Sequence, residues 1–97
     1  MAVKKKDGVL LPRSAYMRPA LQIADYFRDV VTSGREGRRG DGVHGSRSLH
    51  YDGLALDIRP FLEDIDGQMT DYLDAGYSVL FEGDHLHVSF DPSGQRM

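Results

Sequence analysis

Two short segments carry most of the groups able to do chemistry. In Ser48-Leu49-His50-Tyr51-Asp52-Gly53-Leu54-Ala55-Leu56-Asp57-Ile58 an imidazole stands seven residues before a carboxylate, with a glycine between them. Glu82-Gly83-Asp84-His85-Leu86-His87-Val88 again sets imidazole beside carboxylate, and the two segments hold three of the four histidines. There is no cysteine, so disulfides and thiolate ligands are excluded and any metal must be held by imidazole and carboxylate. A catalytic zinc site uses three such ligands at about 2.0–2.2 Å and keeps a position for water. Zinc lowers the pKa of that water toward about 7, and a neighbouring carboxylate must then carry its proton to a leaving group.

Strand parity decides which of these side chains can meet. Leu54 to Ile58 reads as a strand ended by Arg59-Pro60, with Leu54, Leu56 and Ile58 on one face and Ala55 and Asp57 on the other. In the last apolar stretch His85, His87 and Ser89 share one face, while Leu86, Val88 and Phe90 share the other. The apolar sets must pack on helices, which turns Asp57 and His87 toward one spot when their strands are neighbours. His50, at the entry to the Asp57 strand, can complete a His-Asp-His set.

Two acids are candidates for the base. Asp84 lies three residues before His87, and Glu82 three before His85. A strict strand places such pairs on opposite faces, so the base belongs where Gly83 lets the chain turn. That favours Asp84 at the corner, with Glu82 as the alternative. Asp52 is a third carboxylate, read as a turn residue, and His44 among its glycines is read as a bystander.

The remaining elements frame this site. Pro19 suits the first turn of a helix, and the apolar spacing from Leu21 to Val31 predicts one from about Pro19 to Asp29. Val30-Val31-Thr32 is a short strand ended by Ser33-Gly34. Residues 34 to 47 contain five glycines and four arginines, a loop whose Arg35, Arg38, Arg39 and Arg47 could meet an anionic substrate. The tripeptide Arg39-Gly40-Asp41 carries no weight. Asp66 is expected to cap a second helix through about Ala75, with Met69, Tyr72 and Leu73 inward and Gly76 left-handed at its end. Tyr77 to Phe81 and His85 to Phe90 form a hairpin around Glu82-Gly83-Asp84. The lysine-rich start is expected to fray, with Val9-Leu10-Leu11 as a short edge strand.

At 97 residues the chain is one small domain, expected to comprise a partly flexible N-terminal segment 1–18, a folded domain 19–91 and a tail 92–97. Hydrophobic residues make up 40% and charged residues 28%, the balance of a globular protein. The net charge of −3 argues against nucleic acid as a partner. No apolar run reaches the ~20 residues of a membrane span. Lys4-Lys5-Lys6 is followed by Asp7-Gly8-Val9-Leu10-Leu11-Pro12 rather than by an apolar h-region, so no signal peptide and no membrane partner are expected. The fold class indicated is α+β: a small antiparallel sheet with helices on one face and a zinc site on the other.

The two-part pattern, Ser48-x-His50-x-x-Gly53-x-Ala55-x-Asp57-Ile58 followed by Asp84-His85-x-His87, resembles the zinc peptidases of the D-Ala-D-Ala carboxypeptidase family (peptidase family M15). Phage L-Ala-D-Glu endopeptidases belong to that group, and the first half is also similar to the hedgehog signalling domain, which shares the fold. Val31-Thr32-Ser33-Gly34 resembles the strand and turn that precede the site in these proteins. The likeness spans roughly residues 19 to 91. It implies His50, Asp57 and His87 as ligands of a Zn2+ cofactor and Asp84 as catalytic base, with Glu82 as the alternative. His85 would donate to the developing negative charge on the reacting carbonyl oxygen. Arg35 is an approximate match to a substrate-binding arginine, since the order here is Ser33-Gly34-Arg35-Glu36 rather than Ser-Gly-Tyr-Arg.

The implied activity is hydrolysis of peptidoglycan stem peptides, of D-Ala-D-Ala carboxypeptidase or L-Ala-D-Glu endopeptidase type. The alternative is a non-catalytic, zinc-containing, hedgehog-like binding domain. The expected setting is a monomer made in the cytoplasm that reaches the cell wall after lysis or another non-classical release, like an endolysin.

Overall fold

The structure, a computed structural model, describes residues 3–37, 42, 48–60 and 65–92. Among these residues, five strands form one sheet in the order β1-β2-β3-β5-β4. The strands are β1 (Lys4–Lys5), β2 (Val30–Ser33), β3 (Ala55–Arg59), β4 (Ser78–Phe81) and β5 (Leu86–Ser89), with helices α1 (Arg18–Phe27) and α2 (Ile65–Asp74). The α+β class is as expected, but the sheet is mixed rather than antiparallel. Its first strand runs parallel to β2, while the other neighbours are antiparallel.

That departure comes from the N-terminus. The lysine-rich start does not fray: Lys4 and Lys5 pair with Val30 and Val31, and the Lys6 N–H donates to the Val31 carbonyl. The edge strand therefore lies ahead of Val9-Leu10-Leu11, and Val9 instead enters the core with Met17. Tyr77 ties this segment down, its hydroxyl donating to the Tyr16 carbonyl and accepting from the Ala20 N–H.

Both helices end in the same way. At the end of α1 the Arg28 N–H donates to the Asp25 carbonyl and the Asp29 N–H to that of Ala24. At the end of α2 Gly76 and Tyr77 make the equivalent pair of bonds to Leu73 and Tyr72. This double closure needs a left-handed residue. Gly76 supplies it at φ 98°, as expected, whereas the first helix uses Arg28 at φ 60°.

Along β3 and β5 the predicted parity holds. Leu56, Ile58, Leu86 and Val88 are fully buried in one cluster with Ala20, Leu21 and Ala24 of α1 and Tyr72 of α2. Met69 packs against that cluster, but Leu73 is exposed. The inward position of α2 is taken by Gln68, whose carboxamide faces the buried Asp29 carboxylate at the α1–β2 junction. Asp66 lies inside the first turn of α2, not ahead of it.

Candidate metal centre

The register of the sheet assembles the site. Ser33 pairs with Asp57, Asp57 with His87, and His87 with Leu80, so these residues form one row across β2, β3, β5 and β4. The aliphatic residues on either side in sequence point to the helices, which leaves the Asp57 and His87 side chains on the opposite face. The segment before β3 closes tightly, with the Gly53 N–H on the His50 carbonyl and the Leu54 N–H on that of Leu49. Gly53 sits at φ 70° in this turn, where a side chain is disfavoured. The turn delivers His50, which is 3% exposed, over the same face.

His50, Asp57 and His87 form a group that could hold a metal ion. Asp57 Oδ1 lies 2.9 Å from His87 Nδ1 and 3.3 Å from His50 Nε2. Ligands on a tetrahedral ion with bonds of about 2.05 Å are about 3.3 Å apart, so small adjustments would admit one. The two imidazole rings meet edge to face, 5.1 Å between centroids. Burial alone would raise the Asp57 carboxyl, but the His50 and His87 imidazoles beside it hold it well below the usual carboxylate range. These neighbours favour the ionised carboxylate, which faces two imidazole nitrogens.

The other ring nitrogen of His50 is also engaged. Nδ1 lies 2.8 Å from the Gly34 carbonyl, an acceptor that requires Nδ1 to carry a proton and makes Nε2, on the side of Asp57, the nitrogen available to a metal. A backbone carbonyl in this role is the usual partner of a metal-binding histidine. The donor set and its tautomer therefore fit a borderline-soft divalent cation.

Glu82, Asp84 and His85 occupy the hairpin turn beside this group. The Glu82 N–H donates to the His85 carbonyl across a two-residue turn, with Gly83 at φ 86°. The turn brings the Glu82 carboxylate back over the site face, 3.5 Å from His85 Nε2 and 4.0 Å from His87 Nδ1. Asp84 occupies the tip, with its side chain 81% exposed. It accepts from His85 Nδ1 at 2.7 Å, which raises the His85 imidazole above its ordinary value. His85 Nε2 then points inward, 4.0 Å from Asp57 Oδ1. Asp57, Glu82 and His85 make a second overlapping group of possible ligands.

Arg35, expected to meet substrate, makes contacts within the fold. Its N–H donates to the Leu10 carbonyl and its Nε to that of Leu11, so it braces the N-terminal segment. Its neighbour Glu36, which motif reading passes over, has the larger share in the architecture. The Glu36 carboxylate accepts from the Ser33 hydroxyl and from the N–H groups of Gly34 and Leu10. Burial opposes its ionisation, but these donors hold its pKa below the ordinary value. No spacing rule exposes such a role, because Leu10 lies 26 residues away in sequence. Asp52 is exposed in its turn, while Arg38, Arg39, Asp41, His44 and Arg47 lie outside the described residues. Among the described residues no helix is long and apolar enough to cross a membrane. Compared with known proteins, the chain matches no family model and no curated sequence.

Proposed function

We propose that this protein is a zinc-dependent peptidase that hydrolyses peptidoglycan stem peptides, at a D-Ala-D-Ala or an L-Ala-D-Glu bond. The observation that carries the metal-dependent part is the His50–Asp57–His87 group with its tautomer set by Gly34 and a carboxylate from Glu82 beside it. The wall-peptide substrate rests on the sequence resemblance to the M15 peptidases. Zinc held by these three residues would acidify a water and polarise the scissile carbonyl. The chain's own residues supply the rest. Glu82, facing the site, takes the proton of the attacking water and returns it to the leaving amine. His85, with Nδ1 anchored on Asp84, presents Nε2 toward the reacting carbonyl oxygen and stabilises the charge that develops there. Asp84 acts through His85, so Glu82 is the better placed of the two candidate bases.

The test is release of new amino groups from purified peptidoglycan, with and without chelator, comparing wild type with Glu82→Gln and Asp84→Ala. Zinc-dependent release that collapses in Glu82→Gln is the expected result. Stoichiometric zinc without any cleavage would point to the hedgehog-like binding domain, and failure to take up zinc would exclude both.

A further inference from the structure

We infer that Glu36 is a positioning residue for the metal centre: its carboxylate holds the turn whose Gly34 carbonyl sets the ring of His50. The inference rests on His50 being a metal ligand, as proposed above. Glu36 Oε1 accepts from the Gly34 N–H at 2.8 Å and the Leu10 N–H at 3.2 Å, and Oε2 accepts from the Ser33 hydroxyl. One carboxylate therefore joins the end of β2, the turn after it and the N-terminal segment.

The turn has little freedom between these anchors. A Cβ at Gly34 would stand 2.1 Å from the Leu10 carbonyl oxygen, so the two backbones are in direct contact and only glycine fits. On the far side of Gly34, the Arg35 N–H donates to that same Leu10 oxygen at 2.7 Å. The peptide unit between Gly34 and Arg35 is thus held by its N–H, while its carbonyl receives His50 Nδ1 at 2.8 Å. Hydrogen bonds in such a chain polarise one another.

Without the carboxylate, the Gly34 and Leu10 N–H groups and the Ser33 hydroxyl lose their shared acceptor. The Gly34–Arg35 peptide unit then keeps the Arg35 N–H bond to Leu10 but loses the hold on its Gly34 side, so the carbonyl is fixed less firmly, and with it the ring that must aim Nε2 toward Asp57, 3.3 Å away. Partners that orient metal ligands are typically worth 10–100-fold in metal affinity. Glu36 acts one residue removed from such a partner, so the low end of that range applies.

Zinc affinity by competition with a chromophoric chelator, together with the His50 tautomer from 15N NMR of the metal-free protein, tests this. In wild type His50 is expected to be protonated on Nδ1. Glu36→Ala should weaken zinc binding about tenfold and let the tautomers mix. Glu36→Gln should restore both readouts nearly to wild type, because its amide oxygen can accept the two N–H groups and its nitrogen can donate to Ser33. If Glu36→Ala does not fold, Glu36→Asp decides: it keeps the charge but shortens the arm, and weakened zinc binding is expected. Wild-type affinity in the folded Ala variant, or in the Asp variant when Ala does not fold, overturns the inference, as does a wild-type His50 that, at a pH where its ring is neutral, carries its proton on Nε2 alone. Should wild type bind no zinc, the metal reading fails, while the NMR comparison still judges the hold of Glu36 on the ring.

Discussion

His50 and His87 approach Asp57 through different nitrogens, Nε2 and Nδ1, and only His50 has its second nitrogen on a backbone carbonyl. The difference follows from where each residue sits. A strand residue such as His87 reaches across to its neighbour in the register, while a turn residue is aimed by whatever lies behind its ring. The parity of β3 and β5 was readable from alternation alone, while the convergence of Asp57 and His87 also needed their strands to be neighbours, which the register supplies. What lies behind His50 was not, because Gly34, Glu36 and Leu10 come together only through tertiary contacts. The preference for Asp84 over Glu82 went astray for a similar reason, since it is Glu82 that faces the group. A two-residue turn sends its tip outward and brings its first flank back, and residue spacing does not distinguish the two.

Two expectations belong at this scale. Glu82→Gln should lower the turnover of wall peptide by about 10²–10⁴-fold with zinc content unchanged, measured by amino-group release and elemental analysis on the same preparation. The second concerns pH. The Glu36 pKa is lowered in the folded protein, so its contribution to stability is fully present above its unfolded value of about 4.3. That contribution disappears as pH falls through the lower folded value. Urea midpoints of wild type and Glu36→Gln should therefore differ at pH 6, wild type being higher, and converge only as the pH falls through the lowered pKa of the folded carboxyl.

Among the elements, the two helix ends offer a comparison within one chain. The same pair of closing bonds is made around Gly76 and around Arg28, yet a side chain in the left-handed region costs about 1–2 kcal/mol. Arg28→Gly should raise stability by about 0.5–1 kcal/mol, after allowance for the greater freedom of glycine in the unfolded chain. A higher thermal midpoint with unchanged zinc affinity is the outcome to look for. Residue type alone marked Gly76 as a stop, whereas nothing in the sequence marks Arg28. The phase of α2 was similarly half legible. Tyr72 and Met69 were placed inward by spacing, but a glutamine outcompetes Leu73 for the buried stripe because its carboxamide meets Asp29. A buried carboxylate needs such a partner, and that requirement arises from a distant part of the chain.

At the scale of the whole molecule, a small core meets a group of His and Asp side chains that could hold a metal ion on the opposite face of one sheet. A domain of this size is marginally stable, and a cation joining β3, β5 and the turn before β3 would link segments far apart in sequence. Zinc at about 100 times its dissociation constant should add about 2.7 kcal/mol, a rise of about 10–20 °C in the thermal midpoint of a domain near 100 residues. Chelator should reverse the shift, and His87→Ala should abolish it. The α+β class, the two α-helices and the sheet that carries the site were all legible in the alternation and punctuation of the chain. The parallel edge strand was not, since a two-residue pairing has no period to detect.

The two borders of the sheet have opposite character. One is β1, with its paired lysines; the other is β4, Ser78–Phe81, with no charge and with Leu80 and Phe81 both exposed. Lysines on an edge discourage another chain from adding to it, whereas an uncharged apolar edge invites addition. The asymmetry bears on how the protein behaves as a concentrated solute. Precipitation on storage should begin along β4, and Phe81→Lys should raise the solubility limit and slow the growth of light scattering. The reverse change at the other border, Lys4→Phe, should act in the opposite sense by giving the sheet a second adhesive border.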